Sequence, residues 1–194
     1  MKSLFAALMV LVLGSCLSQP LQAQEHVEIG VFADYFRLSD PKTFWGLGAR
    51  GAVTVAPHAQ FEAELAYDFE QSFTEGFTSP TTGIVVFQRS SVRLIHGLLG
   101  PEFHTDGDRP FVGFFTLKGG FISFRFDDRP ATFGNFFGSL DDFRGVTKGV
   151  IYPAVGFKTF LGPVGLRMEF GDEIFFMHGA QNNLRVTFGP TFRF

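Results

Sequence analysis

From residue 26 to its end the chain keeps a two-residue period, and amphipathic helical spacing is hard to find anywhere in it. Alternation of this kind confines a chain to strands, because only an extended backbone sends successive side chains to opposite faces. The clearest stretch is "QFEAELAYDFE", in which Phe61, Ala63, Leu65, Tyr67 and Phe69 share one face while Glu62, Glu64, Ala66, Asp68 and Glu70 share the other. "HVEIGVFADYF" sets Val27, Ile29, Val31, Ala33 and Tyr35 against Glu28, Gly30, Phe32 and Asp34. "FWGLGARGAVTV" sets Trp45, Leu47, Ala49, Val53 and Val55 against Gly46, Gly48, Arg50, Ala52 and Thr54. Further runs cover about 85–101, 110–126, 148–160, 164–176 and 183–194, which makes eight strands and an all-β fold.

The connections supply a second constraint. "APHA", the segment around "HTDGDRP" and "LGP" are short, whereas 71–84 and 127–147 are long, and the two kinds alternate along the chain. Short turns at one rim and long loops at the other describe an even-stranded antiparallel meander that closes on itself. In a soluble barrel the oily face of each strand points to a core; in a membrane barrel it points to lipid. Glycines at 30, 46 and 48 on the polar face favour the second arrangement, since a narrow lumen needs small residues where Arg and Glu side chains must pass. Aromatic residues near predicted strand ends, at Tyr35, Trp45, Tyr67, Phe69, Tyr152, Phe192 and Phe194, fit two interfacial girdles.

Composition enters here as a check. Twenty-eight phenylalanines and 23 glycines with only 18% charged residues give more apolar surface than polar covering, and a net charge of −3 offers no handle for nucleic acid. Residues 1–23 have one Lys, an apolar run from Leu4 to Leu13 and small residues leading to Ala23, the pattern of a cleaved signal peptide. "LGSC" at 13–16 also matches a lipoprotein acylation site, with Cys16 retained. Beyond residue 23 the chain has no cysteine and no run of about eighteen apolar residues, so it crosses a membrane as a closed sheet or not at all.

The ending "RVTFGPTFRF" resembles the C-terminal signal of outer-membrane β-barrels, with Val186, Phe188, Phe192 and Phe194 at alternating positions and a final Phe. With the signal peptide, the alternating strands and the sided loops, residues 24–194 as a whole resemble the small eight-stranded barrels of the OmpA/OmpX type. The resemblance implies an integral protein of the bacterial outer membrane, probed by lipid and lipopolysaccharide on its outside, delivered by the barrel-assembly machinery, and monomeric. Residues 183–194 should then close the barrel against residues near 26–37. Pro153 and Pro190 remove ladder hydrogen bonds, and bulges or shifted pairing are expected beside them.

Several candidate sites follow from the polar phase. Glu28, Asp34, Arg50, Glu62, Glu64, Asp68, Lys118, Lys158, Arg167, Glu169, Arg185 and Arg193 all fall on it, with both signs present. Eight strands leave an interior that side chains just fill, so these charges are expected to pair and close the lumen; a narrow ion path is the alternative. Glu62 and Glu64 lie on one strand face at a spacing that suits paired carboxylates in sugar hydrolysis, but Arg50 on the neighbouring strand offers an ion-pair partner instead. Lipid A deacylases are also eight-stranded barrels with a His–Ser pair near the C-terminal strands; His178 matches, but no serine follows it to serve as nucleophile. The charged polar phase likewise argues against an interior hydrocarbon slot. The five histidines show no short metal-ligand spacing, and His96 sits on a strand of ambiguous parity. Phe133, Phe136, Phe137 and Phe143 in the longest loop form a candidate surface-binding site. The sequence thus predicts a non-catalytic barrel with a structural or surface-interaction role, no cofactor and no metal.

Overall fold

A computed structural model describes residues 27–39, 42–78, 85–105, 110–126, 147–176 and 179–194. The strands are β1 (Val27–Arg37), β2 (Thr43–Ala56), β3 (Ala59–Thr78), β4 (Val85–His104), β5 (Phe111–Phe126), β6 (Thr147–Leu161), β7 (Val164–Asp172), β8 (Ile174–Phe176), β9 (Ala180–Gln181) and β10 (Leu184–Arg193). All pairings are antiparallel, and the β5–β6 and β1–β10 ladders close the sheet. β8 continues β7 along the edge of β6, and β9 faces β8 in the register that β10 keeps with β7. The result is a closed eight-stranded antiparallel barrel.

The closing seam is the one expected from the sequence, running from Glu28↔Arg193 to Arg37↔Leu184. Past it, Phe194 N donates to Val27 O at 2.9 Å and Val27 N returns a bond to Phe194 O at 3.3 Å. The seam therefore ends at one rim, which also carries the turns at 57–58 and 162–163 and the strand ends His104 and Phe111. At the opposite rim lie the strand ends Arg37 and Thr43, Thr78 and Val85, Phe126 and Thr147, and Asp172 and Leu184.

Two expectations about the strands need correction. The segment 71–84 is mostly ladder, because β3 and β4 stay paired to Thr78↔Val85. At about 3.3 Å per residue, strands of 20 residues far exceed the 9–11 that a bilayer requires, so this hairpin projects beyond its neighbours. Secondly, the prolines do not shift the register. Gly30↔Thr191 and Ala33↔Phe188 lie on one register to either side of Pro190, and Leu117↔Pro153 sits in an unbroken β5–β6 ladder. What Pro153 accompanies is a gap on its other side, where β7 gives way to β8 at Glu173. The register shifts fall instead between Thr54 and Ala56, at the end of β2, and between Asp68 and Gln71, midway along β3, where an extra residue increases local twist.

Outside, the barrel is apolar. Val31, Leu47, Leu65, Val155 and Phe188 are each half exposed or more, with Leu47 at 59%. Tyr35 and Trp45 meet edge-on at 4.8 Å near the long-loop rim, and Tyr67 and Phe69 lie 6.2 Å apart. Tyr152 does not join this girdle. It shares the inward phase of Val150 and Ala154 on β6 and is fully buried, with its hydroxyl unpartnered among the described residues.

Candidate functional site: a filled lumen

Inward parity on eight strands brings together charges that are far apart in sequence. Among the described residues, eight buried acids face five buried Lys and Arg side chains inside the barrel. Arg185 of β10 grips Asp34 of β1 through Nε at 2.9 and 3.0 Å and Nη2 at 2.6 Å, and its Nη1 reaches Glu64 of β3 at 2.7 Å. The fork geometry of guanidinium suits this double engagement. Lys118 of β5 sits among three carboxylates: Glu62 at 2.5 Å, Glu64 at 2.6 Å and Glu169 at 3.0 Å. Those three acids have the spacing of a cation site, and the Lys118 ammonium occupies it.

Toward the short-turn rim, Arg167 holds Glu62 at 2.6 Å, Glu102 at 2.7 Å and Glu169 as well. Lys158 holds Glu28 at 2.7 Å and Glu102 at 2.8 Å. Arg50 bonds Glu169 at 3.1 Å and the Thr187 hydroxyl at 2.8 Å, while Thr191 donates to Glu28 at 2.8 Å. Each cation touches at least two acceptors, as a charge withdrawn from water requires.

Aromatic rings shelve the guanidinium groups. Arg50 lies over Phe32 at 4.2 Å and Arg167 over Phe114 at 4.2 Å. The inward glycines make room for these rings: a Cβ on Gly48 would stand 2.2 Å from Phe32, and one on Gly156 would stand 2.4 Å from Phe114. The lumen glycines thus serve rings as much as the charged side chains expected from the sequence.

Above this network, toward the long loops, the interior turns apolar. Phe36, Phe44, Leu94, Ile122, Phe124 and Phe175 belong to one buried cluster, with Phe124 and Phe175 meeting edge-on at 6.0 Å. The charged phase read from the sequence thus fills only part of the lumen; the rest is apolar and packed with the chain's own side chains. His96 is fixed by its surroundings as an inward residue. Its Nδ1 lies 2.7 Å from Glu173 and its Nε2 3.0 Å from Asp68, beneath the edge of Phe36.

Eleven of the twelve charged residues predicted to face the lumen are buried there. Arg193 shares their phase but lies at the short-turn rim, half-buried, with Nε donating to Gly162 O at 3.2 Å and the guanidinium over Phe160 at 4.3 Å. Glu102, Glu173 and His96 are members that the sequence reading did not assign: Glu102 lies one residue past the run 85–101, His96 sits on a strand apolar in both phases, and Glu173 keeps the phase of Arg167 and Glu169 but was not counted with them. Val186, Phe188, Phe192 and Phe194 line the outside of the seam. Cys16, His178, Phe133, Phe136, Phe137 and Phe143 lie outside the described residues.

No protein-family model matches the chain, and no curated protein matches it in sequence. Solved structures do. Neisserial surface protein A is similar at 8% identity over 87% of this chain and 96% of its own, with a TM-score of 0.57. The outer membrane protein OprG from Pseudomonas aeruginosa is similar at 11% identity over 90% of this chain and 99% of its own, with a TM-score of 0.56. Barrel closure and strand number agree with these likenesses, and the chain has the fold of the small bacterial outer-membrane β-barrels.

Proposed function

We propose that the protein is an integral outer-membrane barrel with a shut lumen, serving a structural or surface-interaction role through its long-loop rim. The observation that carries this reading is the occupancy of the interior: Arg185, Asp34, Lys118, Glu62 and Glu169 are buried to 1% exposure or less, Arg185 holding Asp34 and Lys118 holding Glu62 and Glu169, and an apolar cluster caps them. A closed, lipid-facing sheet leaves no backbone edge unpaired in hydrocarbon. Its outer partners are membrane lipid and lipopolysaccharide, and its C-terminal strand is the segment offered to the assembly machinery. Catalysis has no part in the reading, since Glu62 and Glu64 are spent on Lys118, Arg167 and Arg185.

Planar-bilayer recording tests it. The expected outcome is no steady conductance from the purified barrel. A stable open level whose ion selectivity changes in Arg50→Gln or Glu64→Gln would show instead that the lumen is a pore.

A further inference from the structure

Two histidines that lie 46 positions apart in the sequence meet on the short-turn rim. His58 precedes β3 and His104 ends β4, one step beyond the pair Ala59↔Phe103. His104 N donates to His58 O at 3.0 Å, so the ladder continues through them and they stand directly opposite. Directly opposite residues of an antiparallel pair bring their Cβ atoms to about 4.5–5.5 Å and share a face. Here the ring centroids are 6.3 Å apart at an interplanar angle of 68°. Two imidazoles bound to one ion through nitrogens about 2.0–2.1 Å from it have centroids about 5–6.5 Å apart.

The hydrogen bonding of His104 also prepares it as a ligand. Its Nδ1 lies 2.7 Å from the carbonyl oxygen of Thr105, which can only accept, so Nδ1 carries the proton. The lone pair of the neutral ring is then on Nε2, which is buried and has no partner among the described residues. A ring fixed by a carbonyl on one nitrogen and open on the other is the usual state of a metal-binding imidazole. The nearest acid along the same strand face, Glu102, is taken by Lys158 and Arg167.

We propose that His58 and His104 form a transition-metal site on the short-turn rim, in which His104 Nε2 and a ring nitrogen of His58 bind Zn2+ or an ion of similar imidazole preference, with water completing the shell. An ion held there clamps the turn at 57–58 to the end of β4. It is a site of the rim and not of the lumen network.

The test uses the folded barrel purified in detergent and carrying His26→Ala and His178→Ala, which remove the histidines outside the described residues. Zn2+ is titrated calorimetrically. One ion per barrel is expected; His58→Gln and His104→Gln each weaken binding by at least about tenfold, and the double variant abolishes it. Heat-dependent gel migration verifies that each variant is folded. Cu2+ electron paramagnetic resonance of the barrel with both rim histidines intact gives a second readout, with coupling to two imidazole nitrogens expected. Absence of Zn2+ binding up to millimolar concentration, unchanged binding in the folded double variant, or coupling to fewer than two imidazoles would overturn the proposal and leave the pair as an aromatic contact only.

Discussion

Lys118 shows what a single residue means inside this barrel. It contacts three carboxylates at once, so its removal withdraws one positive charge from acids that water cannot reach. Breaking a buried pair from one side costs about 3–5 kcal/mol, and Lys118→Met is expected to lose that much in urea unfolding of the barrel in lipid vesicles. Adding Glu169→Gln to it removes one of the stranded charges and should recover part of the loss. The outer face obeys the opposite rule. Val31, 54% exposed and midway along β1, would accept arginine within about 0.5 kcal/mol if water lay outside. Against hydrocarbon, Val31→Arg costs about 2–4 kcal/mol at mid-depth, and the same unfolding measurement separates the two environments.

At the scale of elements, the joint between β7 and β8 is the most informative. Glu173 turns inward to His96, while its amide donates to Asn183 O at 2.8 Å. Asn183 in turn donates through Nδ2 to Glu173 O at 2.8 Å and Gln181 O at 2.9 Å, and accepts from Ser39 N at 3.1 Å. One amide thus ties the β8–β9 hairpin to the β1–β2 connection. Asn183→Ala should cost about 1–3 kcal/mol and raise hydrogen exchange at residues 174–181 while leaving the β1–β2 ladder protected. This joint was illegible in the sequence, where 164–176 reads as one strand, because Glu173 keeps the alternation and only its neighbours across the sheet reveal the break. β1, β2 and the first half of β3 were legible in full, since each has one oily and one polar phase. β4 was not: "VRLIHGLL" is apolar in both phases, and pairing alone turns Leu94, His96 and Leu98 inward. The meeting of His58 and His104 was hidden for a related reason, as it exists across a ladder and not along a chain.

For the molecule as a whole, closure is the property on which the rest depends. A closed barrel resists detergent until heated, so folded protein should migrate differently on gels before and after boiling. Deleting Phe194, which bonds Val27 in both directions across the seam, should reduce the heat-modifiable fraction recovered from membranes; a deletion variant that inserted normally would remove the assembly role from this residue. The acids and bases of the interior could be listed from the sequence because lumen-facing parity is regular, but their pairing could not, since each bond joins strands whose relative stagger only the closed ladder sets.

The seam also fixes an order of events. Glu28 and Thr191 are hydrogen-bonded across 163 positions of chain, and every contact between β1 and β10 has a comparable span. Closing loops of that length is slow, and an open sheet of these strands would hold oily faces and bare edges on both sides at once. A half-built form is therefore disfavoured, and closure is expected to come last, when the final strand reaches the first.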